Sequence, residues 1–161
     1  MTTNLTHNGS SNQEKSNYSL HHETIHFSPK LAQLCKQAKQ RKPQQGDQVF
    51  WLEQDSQALG LLRLRPMDDP DQGWLLRGLW VKPGWREQGL GSYLVTSALT
   101  DLQKKNPLPV YAMATSQLDG FYQRLGFERL MDHNSPASLK TQSKWQIWIY
   151  PSQAWQSKFI F

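Results

Sequence analysis

The sequence has one cysteine, Cys35, so no internal disulfide can staple it, and a reduced, cytoplasmic setting is the expected one. No apolar run approaches the length of a membrane span, and the N-terminus has no hydrophobic signal segment. Acid is missing from two long stretches. Between Thr24 and Gly46 stand Lys30, Lys36, Lys39, Arg41 and Lys42 without an Asp or Glu, and from His133 to Phe161 only Lys140, Lys144 and Lys158 carry fixed charge. Such basic surface suits phosphates, but a solvated helix face explains the first run more simply, and nucleic acid is disfavoured as a partner. Apolar residues are nearly missing from residues 1–22, where Thr, Asn, Ser, Gln and His dominate. A segment of that kind cannot offset its ordering entropy by burial, so it reads as a disordered polar tail. His21 and His22 have no further ligand at suitable spacing, so no metal site is expected.

What remains, residues 23–161, is long enough for a single domain with a substantial core. Its organising stretch is Leu76 to Lys104, which reads as a strand, a glycine-bearing loop and an amphipathic helix. Pro83 and Gly84 stop the strand, and Arg86, Gly89 and Gly91 then form R-x-x-G-x-G before the helix. Glycines allow close approach to the main chain, and the unpaired N–H groups of a helix N-terminus favour an anion. Arg86 adds a cation of phosphate-matching geometry. A pyrophosphate is the natural guest; the alternative, for these glycines taken alone, is a tight turn. No Lys-Ser/Thr pair follows the glycines, which argues against a Walker-type loop, and Leu94 stands where a dinucleotide fingerprint has its third glycine.

The rest of the chain supplies a consistent frame. Thr24 to Phe27 reads as a short first strand. Ser28-Pro29 reads as cap and first position of a helix that ends before Pro43. Val49–Leu52, Ala58–Arg65 and Trp74–Val81 read as an antiparallel meander, with a Pro-Asp-Gly-rich hairpin loop at 67–73. Leu90, Leu94, Val95, Ala98, Leu99 and Leu102 share one helical face. Val110–Ala114 then reads as a strand parallel to Trp74–Val81 through a right-handed crossover. Ser116 and Asp119 resemble a capping box for a helix that closes at Gly126, and Trp145 to Tyr150 alternates as a strand. Trp155, Phe159 and Ile160 have no evident role.

Leu79 to Gly91, LWVKPGWREQGLG, resembles motif A of the GCN5-related N-acetyltransferases (the GNAT superfamily). LDGFYQRLGF, residues 118–127, resembles that family's motif B through Tyr122, Gly126 and Phe127. The resemblance implies an α/β fold of the GNAT type: a central mixed, mostly antiparallel sheet, splayed between the motif A strand and the following parallel strand, and flanked by helices. It implies acetyl-CoA as cosubstrate in that wedge and an amine-bearing acceptor, a small molecule or a protein. Leu79, Trp80 and Val81 would face the pantetheine arm. Arg86, Glu87, Gln88, Gly89, Leu90, Gly91 and Ser92 would hold the pyrophosphate. Tyr122 would protonate the departing sulfur; its alternative is a core ring. Ser116, with Thr115, stands where members often have an asparagine and would contact the coenzyme or only cap the helix. Many members place a glutamate where this chain has Arg77 and Gly78, which leaves Glu53, Asp68, Asp69, His133 or a water chain as base. Cys35 lies outside both motifs, which favours direct transfer to a primary amine. The alternative is a catalytically weak acyl-CoA-binding or protein/RNA-interaction module on the same fold. A homodimer is compatible with either reading.

Overall fold

The structure, a computed structural model, describes residues 18–68, 73–105, 107–131, 134–139 and 145–151. In chain order the elements are β1 (Ser19–Glu23), α1 (Pro29–Gln37), β2 (Gln48–Gln54), β3 (Gln57–Pro66), β4 (Trp74–Val81), α2 (Leu90–Lys105), β5 (Val110–Ala114), α3 (Asp119–Arg124), β6 (Glu128–Leu130) and β7 (Gln146–Tyr150). The strands form one seven-stranded sheet in the order β1-β2-β3-β4-β5-β7-β6. Strand β4 runs parallel to β5, whereas β1 with β2, β5 with β7, and β6 with β7 are antiparallel. This is the mixed, mostly antiparallel α/β arrangement that the motifs imply.

The first strand is not where the sequence pattern places it. Residues 24–26 form a bend, and β1 lies at Ser19–Glu23, all but its last residue in the span read as tail. Only Leu20 of β1 is a buried apolar residue, so burial alone would not order the strand. Its partner does. The full-length pairing with β2 is reinforced by His21 stacked on Trp51 at 4.0 Å and His22 stacked on Phe50 at 4.1 Å. Residues 1–17 and 152–161, the latter with Trp155, Phe159 and Ile160, lie outside the described residues.

Helix α1 begins as expected: the Ser28 hydroxyl accepts from the Leu31 N–H, and Pro29 occupies the first helical position. It ends earlier than Pro43. Lys39 adopts φ +55, a left-handed turn that stops the helix at Gln37, and the Gln40 N–H returns to the Cys35 carbonyl at 2.9 Å. Asp55 (φ +50) and Ser56 (φ +63) both turn left-handed between β2 and β3, as a two-residue type I′ hairpin requires.

The chain divides into two compact units, residues 1–63 with 78–94, and residues 64–77 with 95–161. In the first, Leu31, Leu34 and Cys35 of α1 pack on Val49, Trp51 and Leu61, with Trp80 beside them. In the second, Met67, Tyr111, Leu139, Ile147 and Ile149 form the cluster. The parallel ladder of the second unit pairs Trp74, Leu75 and Leu76 with Val110, Tyr111 and Ala112. All six residues of the apolar α2 face are buried, Leu90 to Leu102.

Candidate functional site

The loop joining β4 to α2 is built by backbone geometry more than by packing. Lys82 N–H donates to the Leu59 carbonyl at 2.7 Å, which anchors its start, and Trp85 N–H donates to the Lys82 carbonyl at 3.0 Å, which closes its first turn. Gly84 (φ +90), Glu87 (φ +63) and Gly89 (φ +80) are all left-handed. Residues 86–89 are exposed, and Leu90 then buries to start α2. The first helical bond runs from Tyr93 N–H to the Gly89 carbonyl at 3.0 Å. The first turn of α2 therefore opens from this loop with its N–H groups lacking intrahelical acceptors and no acidic residue among them. A Cβ added at Gly84 or Gly89 would meet nothing within 4 Å. The turn is open, and what Gly89 supplies is its positive φ. Gly91 differs from the expectation that pairs it with Gly89: it lies inside α2 and has no left-handed φ.

Arg86 does not simply extend into solvent. Its Nε donates to the Val81 carbonyl at 2.9 Å, which fixes the guanidinium at the end of β4. Among the described residues, its other N–H groups have no acceptor. The Val81 carbonyl, one of the groups expected to face a ligand, is thus already engaged.

Upstream, β4 is interrupted. Gly78 has φ +63 within the strand, and its carbonyl accepts from Gln40 Nε2 at 2.8 Å. Leu79, Trp80 and Val81 follow it, each half-buried. The sequence reading passes over Gln40, and it passes over Arg63, whose guanidinium lies within reach of Gln40 and Asp47. A signal was present: Arg63 sits alone inside the apolar run Leu61-Leu62-Arg63-Leu64. A charged residue is buried there only when it has partners.

The second unit carries Tyr122 and Ser116. Tyr122 is 4% exposed, and its ring is edge-on to Phe121 and Phe127 and stacked with Trp148 at 6.1 Å. Its hydroxyl has no hydrogen-bond partner among the described residues. Burial pushes the phenol pKa up, so the group stays protonated well beyond neutrality. Ser116 opens a short 3₁₀ turn, Ser116–Leu118, and is exposed. The capping box is absent: α3 starts at Asp119, and neither Thr115 nor Leu118 makes a side-chain capping bond. The Asp119 Oδ1 atom is instead buried without a partner among the described residues. The C-terminal end does match, with Gly126 at φ +91 just past Leu125.

The base candidates fare unevenly. Glu53 accepts from Lys30 Nζ, and that hydrogen bond holds its carboxyl below the usual range, which makes it a weaker base. Asp68 is exposed, while Asp69 and His133 lie outside the described residues. Cys35 is buried, and burial pushes its thiol up although nearby Arg63 opposes the shift. A thiol raised in this way is a poor nucleophile. Among the described residues, no group of three or more His, Cys, Asp or Glu could hold a metal, and no helix is long and apolar enough to cross a membrane.

Comparison with known proteins agrees with these features. The acetyltransferase (GNAT) domain family matches residues 45–129, more than half of the chain. No curated protein matches it. Three solved structures illustrate the likeness of fold. An acyl-CoA N-acyltransferase from Pseudomonas aeruginosa superposes with a TM-score of 0.64 at 20% identity, over 82% of this chain and 98% of that one. An acetyltransferase of the GNAT family from Staphylococcus aureus gives 0.57 at 13% identity, over 81% and 98%. N-acetylglutamate synthase from Neisseria gonorrhoeae, complexed with coenzyme A and L-arginine, gives 0.64 at 15% identity, over 83% of this chain but only 33% of that larger one.

Proposed function

We propose, from the premise that this chain belongs to the acetyltransferase (GNAT) family, that it transfers the acetyl group of acetyl-CoA directly to a primary amine of a small molecule or protein. The single observation that carries the reading is the open, left-handed turn at 86–89 emptying onto the N-terminus of α2, with a guanidinium fixed beside it. These residues suit a diphosphate: the main chain is accessible, the first helical turn is free of acid, and Arg86 retains donors.

In this reading Gly89 to Ser92 give main-chain N–H groups to the pyrophosphate, and Arg86 neutralises it. Leu79 and Trp80 offer strand groups to the pantetheine amides, as an added strand would, whereas the Val81 carbonyl stays with Arg86. Acetyl-CoA supplies the thioester. The amine nitrogen bonds to the thioester carbonyl carbon as the carbon–sulfur bond breaks. Tyr122 gives its proton to the departing thiolate; burial keeps the phenol protonated at neutral pH, although it also makes the group a weaker acid. The nitrogen's proton leaves to a water chain or to a base other than Glu53, which Lys30 engages. Cys35, buried and raised, leaves no thiol for a covalent relay. The reading of the chain after its polar tail as a single domain, its start moved back to include β1, a cytoplasmic setting and a role for Ser116 at the coenzyme belong to the same proposal.

A thiol-release assay with acetyl-CoA and a panel of amines tests the chemistry. Amine-dependent release is the expected result. Coenzyme A binding without release above background would instead favour the non-catalytic module, a reading supported by the lack of a strand glutamate at Arg77 and Gly78.

A further inference from the structure

The interruption of β4 is held from outside the strand. An extended strand keeps φ negative, so Gly78 at φ +63 swings its peptide out of line and needs another donor for its carbonyl. Gln40 is that donor, at 2.8 Å. The orientation of its amide is set chemically. Gln40 Oε1 faces Arg63 Nη2 at 3.4 Å, and a guanidinium only donates, so the amide oxygen must point to Arg63 and the NH₂ to Gly78.

Arg63 is itself fixed. It is 7% exposed, donates to the Arg41 carbonyl at 2.7 Å, and lies 3.8 Å from Asp47 Oδ2. Asp47, 1% exposed, also accepts from the Gln44 N–H at 2.8 Å. The Gln40 main chain is tied back to Cys35 by the turn at Lys39. The amide is thus preorganised at both ends, and its closeness is evident from Gly78: a Cβ there would lie 2.5 Å from Gln40 Oε1.

We propose that Gln40, oriented by Arg63, is a positioning residue that sets the direction of the Gly78–Leu79 peptide and so presents Leu79 and Trp80 to the pantetheine arm. The inference rests on the coenzyme reading above. Gln40 acts through the strand; with its donor gone, the peptide is free to return to an extended setting that re-aims the Leu79 N–H.

The test uses the full chain with Gln40→Met, which removes both hydrogen bonds at nearly constant volume. Gln40→Glu is the second variant: it keeps an acceptor for Arg63, replaces the donor to Gly78 with a carboxylate oxygen, and serves if the first fails to fold. Calorimetry with coenzyme A is expected to show affinity reduced by about tenfold in both. Loss of these bonds should lower the melting temperature by about 2–6 °C, and amide exchange at Leu79 should quicken. A structural role alone would lower the melting temperature and leave affinity unchanged. If the parent protein binds no coenzyme A, the acetyltransferase reading falls and this inference falls with it. If the parent binds and both variants bind as tightly, this inference alone is overturned.

Discussion

Two turns flank β4, and each contains a glycine with positive φ, yet the two glycines serve different ends. Gly73, at φ +125, lies where an added Cβ would come 2.2 Å from the Pro109 carbonyl oxygen. That oxygen already accepts from Trp74 N–H at 2.9 Å, and the Gly73 carbonyl accepts from Met67 N–H at 3.0 Å. The site is filled by backbone that cannot move without breaking the start of the parallel ladder. Gly89, at φ +80, has no atom within 4 Å of the same added Cβ. Nothing in the fold requires the space at Gly89 to be empty, whereas packing requires it at Gly73. A turn that combines left-handed backbone with open space leaves its main chain accessible, as the proposed coenzyme reading requires, and the contrast can be broken by substitution.

The largest effect is expected at the crowded turn. Gly73→Ala combines backbone strain with overpacking against a carbonyl and should cost about 3 kcal/mol or more of stability. Urea denaturation would show it as a lowered midpoint; a loss below about 1 kcal/mol would erase the distinction. Next comes Tyr122→Phe, which keeps the ring between Phe127 and Trp148 and removes only the proton donor. Turnover should fall about a hundredfold while coenzyme A affinity holds. The acid must be protonated to act, and burial raises its pKa, so in the parent its contribution is present through neutral pH and lost only on the far alkaline side. A rate–pH profile of the two proteins differing only in the acid range would remove Tyr122 from the proton transfer. At the open turn, Gly89→Ala should cost only about 1–2 kcal/mol of stability, for its φ alone. Gly89→Asp should weaken coenzyme A binding by about thirtyfold through added negative charge. Equal affinities for parent and Gly89→Asp would deny the turn its anion.

The same contrast explains what the sequence makes legible. Strand β4 follows from its apolar run and stop signals, and the face of α2 from its spacing, because in both the local pattern and the final burial agree. The strand β1 does not follow, because Ser19–Glu23 has one buried apolar residue and is ordered by stacking on Trp51 and Phe50, partners about thirty residues away in sequence. Pro43 is a visible stop signal, but the turn at Lys39 acts first, and Lys is not a residue that advertises a left-handed φ. At the candidate site, R-x-x-G-x-G and Tyr122 are readable as motif. The clamp of Gln40 on Gly78 is not, since it depends on a loop meeting a strand across thirty-eight residues of chain.

A pair at the rim of the first unit sets the lower bound of the scale. Lys30 Nζ bonds Glu53, and both line a cavity of about 260 Å³ with Gln33, Gln37, Gln57 and Lys82. The lysine side chain is 59% exposed and the glutamate 17%, so solvent screens most of the attraction. Lys30→Ala should cost less than about 1 kcal/mol near neutral pH. The sign with pH follows from the hydrogen bond that lowers the Glu53 pKa in the folded protein. Its stabilisation is fully present above the unfolded carboxyl pKa and is lost as pH falls through the lower folded value. Parent and variant stabilities should therefore converge on acidification. Denaturation curves that instead keep a constant gap on acidification would mean that Lys30 acts through packing of its stem, and that exposed pairs cannot serve as the weak reference against which the two glycines are judged.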